Sequence, residues 1–420
     1  MIADMQRARH LAWELPKLGW EVEILCPDES YQRSPYVDKD SSLFFSPTAG
    51  IHFVKAYYSA IFSTIGVGSI GWRALIPMLC AGRKLLKRRR FDLIYFSTTQ
   101  FPLFLLGPIW QRWFGMPYVL DFQDPLYRES NTHPVWAKPT IKHVIASCLG
   151  KYVESWPTLS ASGIISVSPN YCVTLRRRYE SKKPAWLGVG RVAVIPFGVR
   201  SYDLEEASRS MAHESEEVRR SARIIYVGAG GPIMRRSFTL VCRALSQARL
   251  QHPELVENVK IELYGTMLGW QEGDPRVLEN IAQEQGVSEF VKEYPSRVTY
   301  RRSLELLLDC DGALVLGVDD AGYMPSKLFS YALSGKPLLA SLHADGPAFA
   351  QLQNTPGLGH VLWFNESDEM VAADAANVVK QFLEEVVGRR NFDRRAMLEP
   401  FLTATMAHRH VKLFEACLLR

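Results

Sequence analysis

Arg223-Ile224-Ile225-Tyr226-Val227-Gly228-Ala229-Gly230-Gly231-Pro232 reads as a continuously apolar strand that runs into a glycine turn, followed by a helical stretch containing Phe238 and Leu240. A strand with no polar alternation is one covered by helices on both faces. The same pattern recurs along the chain. Strands are expected at Trp20–Cys26, Ile51–Val54, Asp92–Ser97, Tyr118–Phe122, Gly163–Ser168 and Val192–Ile195. A second set is expected at Arg223–Val227, Lys260–Tyr264, Phe290–Glu293, Ala313–Val318, Pro337–Ser341 and Val361–Phe364. Helical segments alternate with them in both halves, so the fold class is α/β, with two doubly wound parallel sheets.

The length of 420 residues agrees with two domains. The expected division is 1–199, a polar, charge-rich linker at 200–222, a second domain at 223–400, and a C-terminal helix at 401–420 packing back toward the first domain. The chain opens on a helix, Ile2–Lys17, stopped by Gly19. A doubly wound domain starts with a strand, so the first strand is expected to be missing from this sequence.

The composition is 47% hydrophobic and 22% charged, that of a globular protein, and the net charge of +5 does not ask for nucleic acid. Seven single cysteines and no C-x-x-C pair argue against disulfides and structural zinc; they read as small buried hydrophobes of a reducing, cytoplasmic compartment. His408 and His410, two apart on a helix, point to different faces and read as surface. The uncharged runs Ala56–Trp72 and Leu93–Gln111 are too polar or too broken by proline to cross a bilayer.

Four segments could carry chemistry. In the turn after Val227, Gly228, Gly230 and Gly231 would let backbone amides approach a phosphate at a helix start, with Arg235 and Arg236 adding charge. An ordinary tight βα turn is the plain alternative. A dinucleotide site fits poorly, because the third glycine of its fingerprint would fall at Ile233 and no acid lies about 20 positions on. In Tyr323 to Pro337, Pro325 suits the first helical position, Ser326 and Lys327 the first turn, and Gly335 the helix end. A lysine there can neutralise a leaving diphosphate, or simply be solvated. Asp121 and Asp124 follow the strand Tyr118–Phe122, where such folds bind ligands, and could position an acceptor hydroxyl or take its proton. An Asx turn before Pro125 is the alternative. Finally, the basic run Arg83 to Arg90 beside apolar sequence suits an anionic membrane face, or a solvated helix end.

Together these segments resemble the GT-B glycosyltransferases, in particular the large retaining family four. Leu18–Val22, Phe91–Tyr95 and Gly115–Leu120 are similar to its early strands, Val194–Val199 to its interdomain segment, and Ser330–Pro337 to its segment before the last strands. The sequence departs from the family at its two E-x7-E glutamates, which fall at Gly322 and Ser330. It departs also at the arginine after the first donor-domain glycine, here Ala229, and at the lysine six residues later, here Arg235. The resemblance implies two Rossmann-like domains facing across a cleft. It implies transfer of a hexose or aminosugar from a nucleotide diphosphate sugar to a glycan or lipid-linked acceptor, with retention. Gly228, Gly230, Gly231, Arg235, Ser326, Lys327 and Ser330 would hold the donor, with Ser330 in place of a ribose-binding acid, while Asp124 and Asp121 would serve the acceptor. No D-x-D triplet stands in a suitable loop, so no metal or other cofactor is expected. A nucleotide-sugar epimerase of the same fold and a non-catalytic glycosyltransferase-like subunit are the rival readings.

Overall fold

The computed structural model describes residues 3–31, 46–57, 68–126, 141–211 and 221–419. All twelve expected strands are present, with ends shifted by up to about three residues: β1 Glu23–Pro27, β2 Gly50–Val54, β3 Ile94–Ser97, β4 Tyr118–Phe122, β5 Gly163–Ser166, β6 Val192–Val194, β7 Ala222–Val227, β8 Val259–Tyr264, β9 Val291–Tyr294, β10 Gly312–Leu316, β11 Leu338–His343 and β12 His360–Phe364. Every strand pair is parallel.

The chain divides into two compact units, one spanning Phe197–Thr403 and the other combining Ile2–Arg33, Phe45–Pro196 and Ala404–Arg420. The second of these holds two sheets rather than the single one expected. β3-β4-β5-β6 form one, β1-β2 the other, and no strand pair joins them among the described residues. Its first helix, Ala3–Glu14, tightens into a 3-10 turn and ends at Gly19, whose φ of 82° only glycine adopts at little cost. The helix Thr403–Leu418 packs on β5 and β6, where Arg191 donates to Ala416 O (3.1 Å) and Gly163 leaves room for Leu413 and Cys417.

In the other unit the sheet order is β12-β11-β10-β7-β8-β9. The chain moves outward from β7 to β9, then returns to place β10 on the other side of β7. The reversal puts a crevice at the carboxyl ends of β7 and β10, the switch point where doubly wound sheets take ligands. One sheet face packs on the helices Arg235–Gln251, Val277–Glu284 and Ala372–Val387 through fully buried side chains such as Phe238, Ile281 and Phe382.

Two expectations are corrected here. The stretch 200–222 is not an open linker along its first half: Ser201–Met211 is an α-helix whose Asp203, Leu204 and Ala207 are buried. Their spacing puts them on one face, and Tyr300 Oη donates to Asp203 Oδ2 at 2.8 Å. His410 is not on the surface; it is 1% exposed, while His408 is exposed. Of the cysteines, Cys80 is exposed and Cys26 half-buried, whereas Cys172, Cys242, Cys310 and Cys417 are buried.

Candidate active site

The glycine turn leaves β7 with its last carbonyl heavily used. Val227 O accepts from Tyr331 Oη at 3.0 Å and from Lys327 Nζ, while Val227 N donates back to the same phenol at 2.9 Å. Tyr331 lies on the short helix Leu328–Leu333, so these bonds fasten the segment after β10 to the end of β7. The three glycines are needed for different reasons. A Cβ on Gly228 would collide with the Lys327 ammonium, and one on Gly230 would come within 2.8 Å of Thr266 Cβ. Gly231 has φ +77°. The tight-turn reading therefore accounts for Gly230 and Gly231, but Gly228 makes room for a cation.

The turn's amides are only partly open. Gly228 N and Gly230 N donate to Tyr264 O (2.9 Å) and Thr266 O (2.8 Å), bonds that hold the turn to the end of β8. Among the described residues, the amides of Ala229 and Gly231 have no acceptor. A 3-10 turn, Gly231–Met234, precedes the helix Arg235–Gln251, so that helix begins later than expected.

Lys327 is half-buried as the cap residue before Leu328–Leu333; Pro325 and Ser326 lie in the preceding turn, one residue or more short of the helix expected there. Burial, then the nearby Arg297 guanidinium, push its pKa down from 10.5 to about 7. Its ammonium also stands 5.9 Å from the centre of the Tyr226 ring, whose hydroxyl donates to Ala229 O. Ser330 Oγ donates to Lys327 O at 2.9 Å, closing the turn beneath the lysine.

Arg235 is placed elsewhere than expected. Its guanidinium makes a two-pronged pair with Glu284 (2.8 and 2.9 Å) on the neighbouring helix. The intervening 3-10 turn rotates the tandem arginines, so that Arg236 instead reaches Asp319 (3.2 Å), just past β10. The sequence reading missed Arg297 altogether. It follows β9 in Tyr294-Pro295-Ser296-Arg297, packs against Gly265, and is held below its usual pKa by burial. Its one signal was position, at the carboxyl end of a strand; among 49 basic residues that did not stand out.

In the unit containing β4, the two aspartates part company. Asp121 is 0% exposed; its Oδ2 faces Arg7 Nε at 3.1 Å and accepts from Tyr95 Oη (2.8 Å) and Gln123 Nε2 (2.7 Å). It is corrected from acceptor-binding residue to buried counter-charge. Arg7 also donates to Ile195 O (2.6 Å) and meets His410 Nε2 (3.2 Å), tying the first and last helices to the sheet. Burial, then the Arg7 charge, push His410 down to about 3, so its ring is neutral. Asp124 is exposed at the carboxyl end of β4.

Residues 5–179 match the family described as glycosyl transferase 4-like domain. Solved structures are similar to this chain in fold along both units. HepE from Anabaena, in complex with UDP-glucose, matches with TM-score 0.57 at 15% identity over 94% of this chain and 100% of that one. A glycosyltransferase from Rickettsia africae matches with TM-score 0.59 at 11% identity over 100% and 96%. A UDP-forming trehalose-phosphate synthase from Burkholderia vietnamiensis matches with TM-score 0.58 at 11% identity over 94% and 93%. The chain has the GT-B fold, and a glycosyl transferase 4-like domain occupies residues 5–179. At such identities the structural likeness establishes the fold, and the chemistry has to be argued from this chain's own residues. No curated protein matches it in sequence. No described helix of this chain is long and apolar enough to cross a membrane.

Proposed function

We propose that the enzyme transfers a hexose or aminosugar from a nucleotide diphosphate sugar to a glycan or lipid-linked acceptor, with retention of configuration. The observation that carries this is Lys327, whose ammonium is lodged against Gly228 at the β7/β10 switch point, beside the open amides of Ala229 and Gly231. A cation and backbone donors converging at the end of a parallel strand suit a leaving diphosphate, whose charge grows as the glycosidic bond breaks. The complex of HepE with UDP-glucose supports a nucleotide sugar as donor. Asp124, exposed after β4, is the group we assign to acceptor orientation.

Replacing Lys327 by Ala should lower the transfer rate by about 10²–10³, the usual loss when one preorganised transition-state donor is removed. Sugar transfer from UDP- and GDP-sugars, measured with unchanged thermal stability as control, checks this; unchanged turnover would place the diphosphate elsewhere. Product formed without any acceptor would instead mark an epimerase.

The acceptor side includes a surface suited to anionic lipid. On the helix Ile70–Arg88, Lys84, Lys87 and Arg88 are exposed, as is Arg90, and none has an acidic partner among the described residues. Ile76 and Trp113 are exposed as well, at 60% and 50%, with Arg83 over the Trp113 ring. Arg89 is engaged by Glu23. Binding to anionic vesicles should weaken with salt and with Arg88 and Arg90 changed to Ser. Equal sedimentation with neutral and anionic vesicles would count against lipid contact.

A further inference from the structure

Arg297 and Lys327 come from different loops, one after β9 and one after β10, and reach the ends of adjacent strands: Arg297 packs against Gly265 after β8 and Lys327 against Gly228 after β7, where the Arg297 charge helps to lower the lysine's pKa. Neither has a carboxylate partner among the described residues. Several other arginines of this unit have carboxylate partners, Arg223 with Glu262 and Asp309, Arg236 with Asp319 and Arg235 with Glu284, while the buried Arg394 donates to the carbonyls of Gly357 and Lys336. Two like charges held together without an anion are unfavourable, and such a pair is kept where an anion binds. The remaining neighbours are neutral phenols. Tyr226 faces both cations, and Tyr323 and Tyr331 face Tyr226.

We propose that Arg297 is a second diphosphate-binding cation, acting together with Lys327. This rests on the donor reading given above and extends it to a residue from a third loop. The Arg297 guanidinium can present two parallel N–H groups to phosphate oxygens, which the point charge of Lys327 cannot. Its backbone is well placed for this, since Gly265 has no side chain and leaves the Arg297 Cδ and Cα against the end of β8. The neighbouring bonds, Gly265 N to Tyr294 O (2.9 Å) and Met267 N to Pro295 O (3.0 Å), keep the β8 and β9 loops side by side.

The test is titration of the full-length enzyme with UDP, GDP, pyrophosphate and uridine, comparing wild type with Arg297→Gln, Arg297→Lys and Lys327→Gln. Arg297→Gln should weaken UDP or GDP and pyrophosphate about 10- to 100-fold, the range for a lost charge-assisted hydrogen bond. Uridine binding should be unaffected. Arg297→Lys should recover part of the loss, since the charge returns without the fork. The ligand-free melting temperature of Arg297→Gln should stay level or rise, because a repulsion is removed. Equal nucleotide affinity in Arg297→Gln and wild type would overturn the assignment while leaving the donor site standing. So would an equal loss of uridine, which would make Arg297 a base-reading residue. A wild type that binds neither UDP nor GDP would remove the donor reading itself.

Discussion

At Lys327, burial and function pull the same group in opposite directions. Its pKa of about 7 means that the free enzyme holds it only partly charged near neutral pH, while an anion beside it favours the charged form. Nucleotide affinity should therefore be highest below about pH 7 and fall as the pH rises through it, with proton uptake on binding. The groups facing the lysine are Arg297, the Tyr226 ring and the Val227 carbonyl, none of which changes charge in that range. Titrations of UDP between pH 6 and 9 check this, and Lys327→Arg should flatten the profile. The stability effect has the opposite sign. A lysine with a lowered folded pKa releases its proton on folding between about pH 7 and 10.5, so its destabilising effect is full below 7 and fades toward 10.5. Wild type should gain stability relative to Lys327→Met as the pH rises across that window.

Among the elements, the helix Val277–Glu284 is anchored through bonds that reach the glycine turn. Glu293, fully buried on β9, accepts from the amides of Leu278 (2.9 Å) and Glu279 (3.1 Å) at the helix start, and from Thr266 Oγ1. Thr266 O in turn accepts from Gly230 N of the glycine turn. Glu293→Ala should cost about 2–3 kcal/mol, because buried amides lose a charged acceptor, and should weaken nucleotide binding as well. Chemical denaturation together with a UDP titration would show both; a change in neither would mean the anchor is dispensable. This chain of support was not legible in the sequence, since Glu293 was read only as the end of an apolar strand. The strands themselves were legible, because uninterrupted runs such as Ile224 to Val227 and Ala313 to Leu316 have few other uses. Helix starts were harder. The 3-10 turn Gly231–Met234 changed which of Arg235 and Arg236 faces β10, and nothing in a glycine–proline sequence sets that rotation. The helix Ser201–Met211 was hidden by its charge: only three inward residues distinguish it from a solvated tether.

For the whole molecule, Asp121 in β4 and Asp124 just after it should separate stability from acceptor chemistry. Asp121→Asn would leave the Arg7 guanidinium buried without its counter-charge, at a cost of about 3–5 kcal/mol. Because Arg7 also bonds Ile195 O and His410, the loss should loosen the first helix and the C-terminal helix alike. Asp124→Asn should cost less stability than Asp121→Asn, since Asp124 is exposed, and act instead on the acceptor KM. Melting temperatures and acceptor saturation curves check the contrast. An equal fall in stability for both variants would contradict it. The sequence offered the two carboxylates as a pair, since both follow one strand. What divides them is depth, with Asp121 inside the fully buried strand β4 and Asp124 in the exposed segment beyond it.

The space left by Gly228 has a consequence for how this protein can change. A methyl group there meets the ammonium of Lys327 before it meets anything else, so the first effect of Gly228→Ala is eviction of the lysine from the Val227 carbonyl. Once Lys327 is already shortened, the same methyl meets only the Tyr226 hydroxyl and Cζ, at 3.0 and 3.2 Å, which a small shift of that ring relieves. The two positions are therefore epistatic, and their combined substitution should do little more harm to catalysis than either alone. A lineage that once lost the lysine would be free to fill position 228, and after doing so could not regain the cation by reversing a single residue.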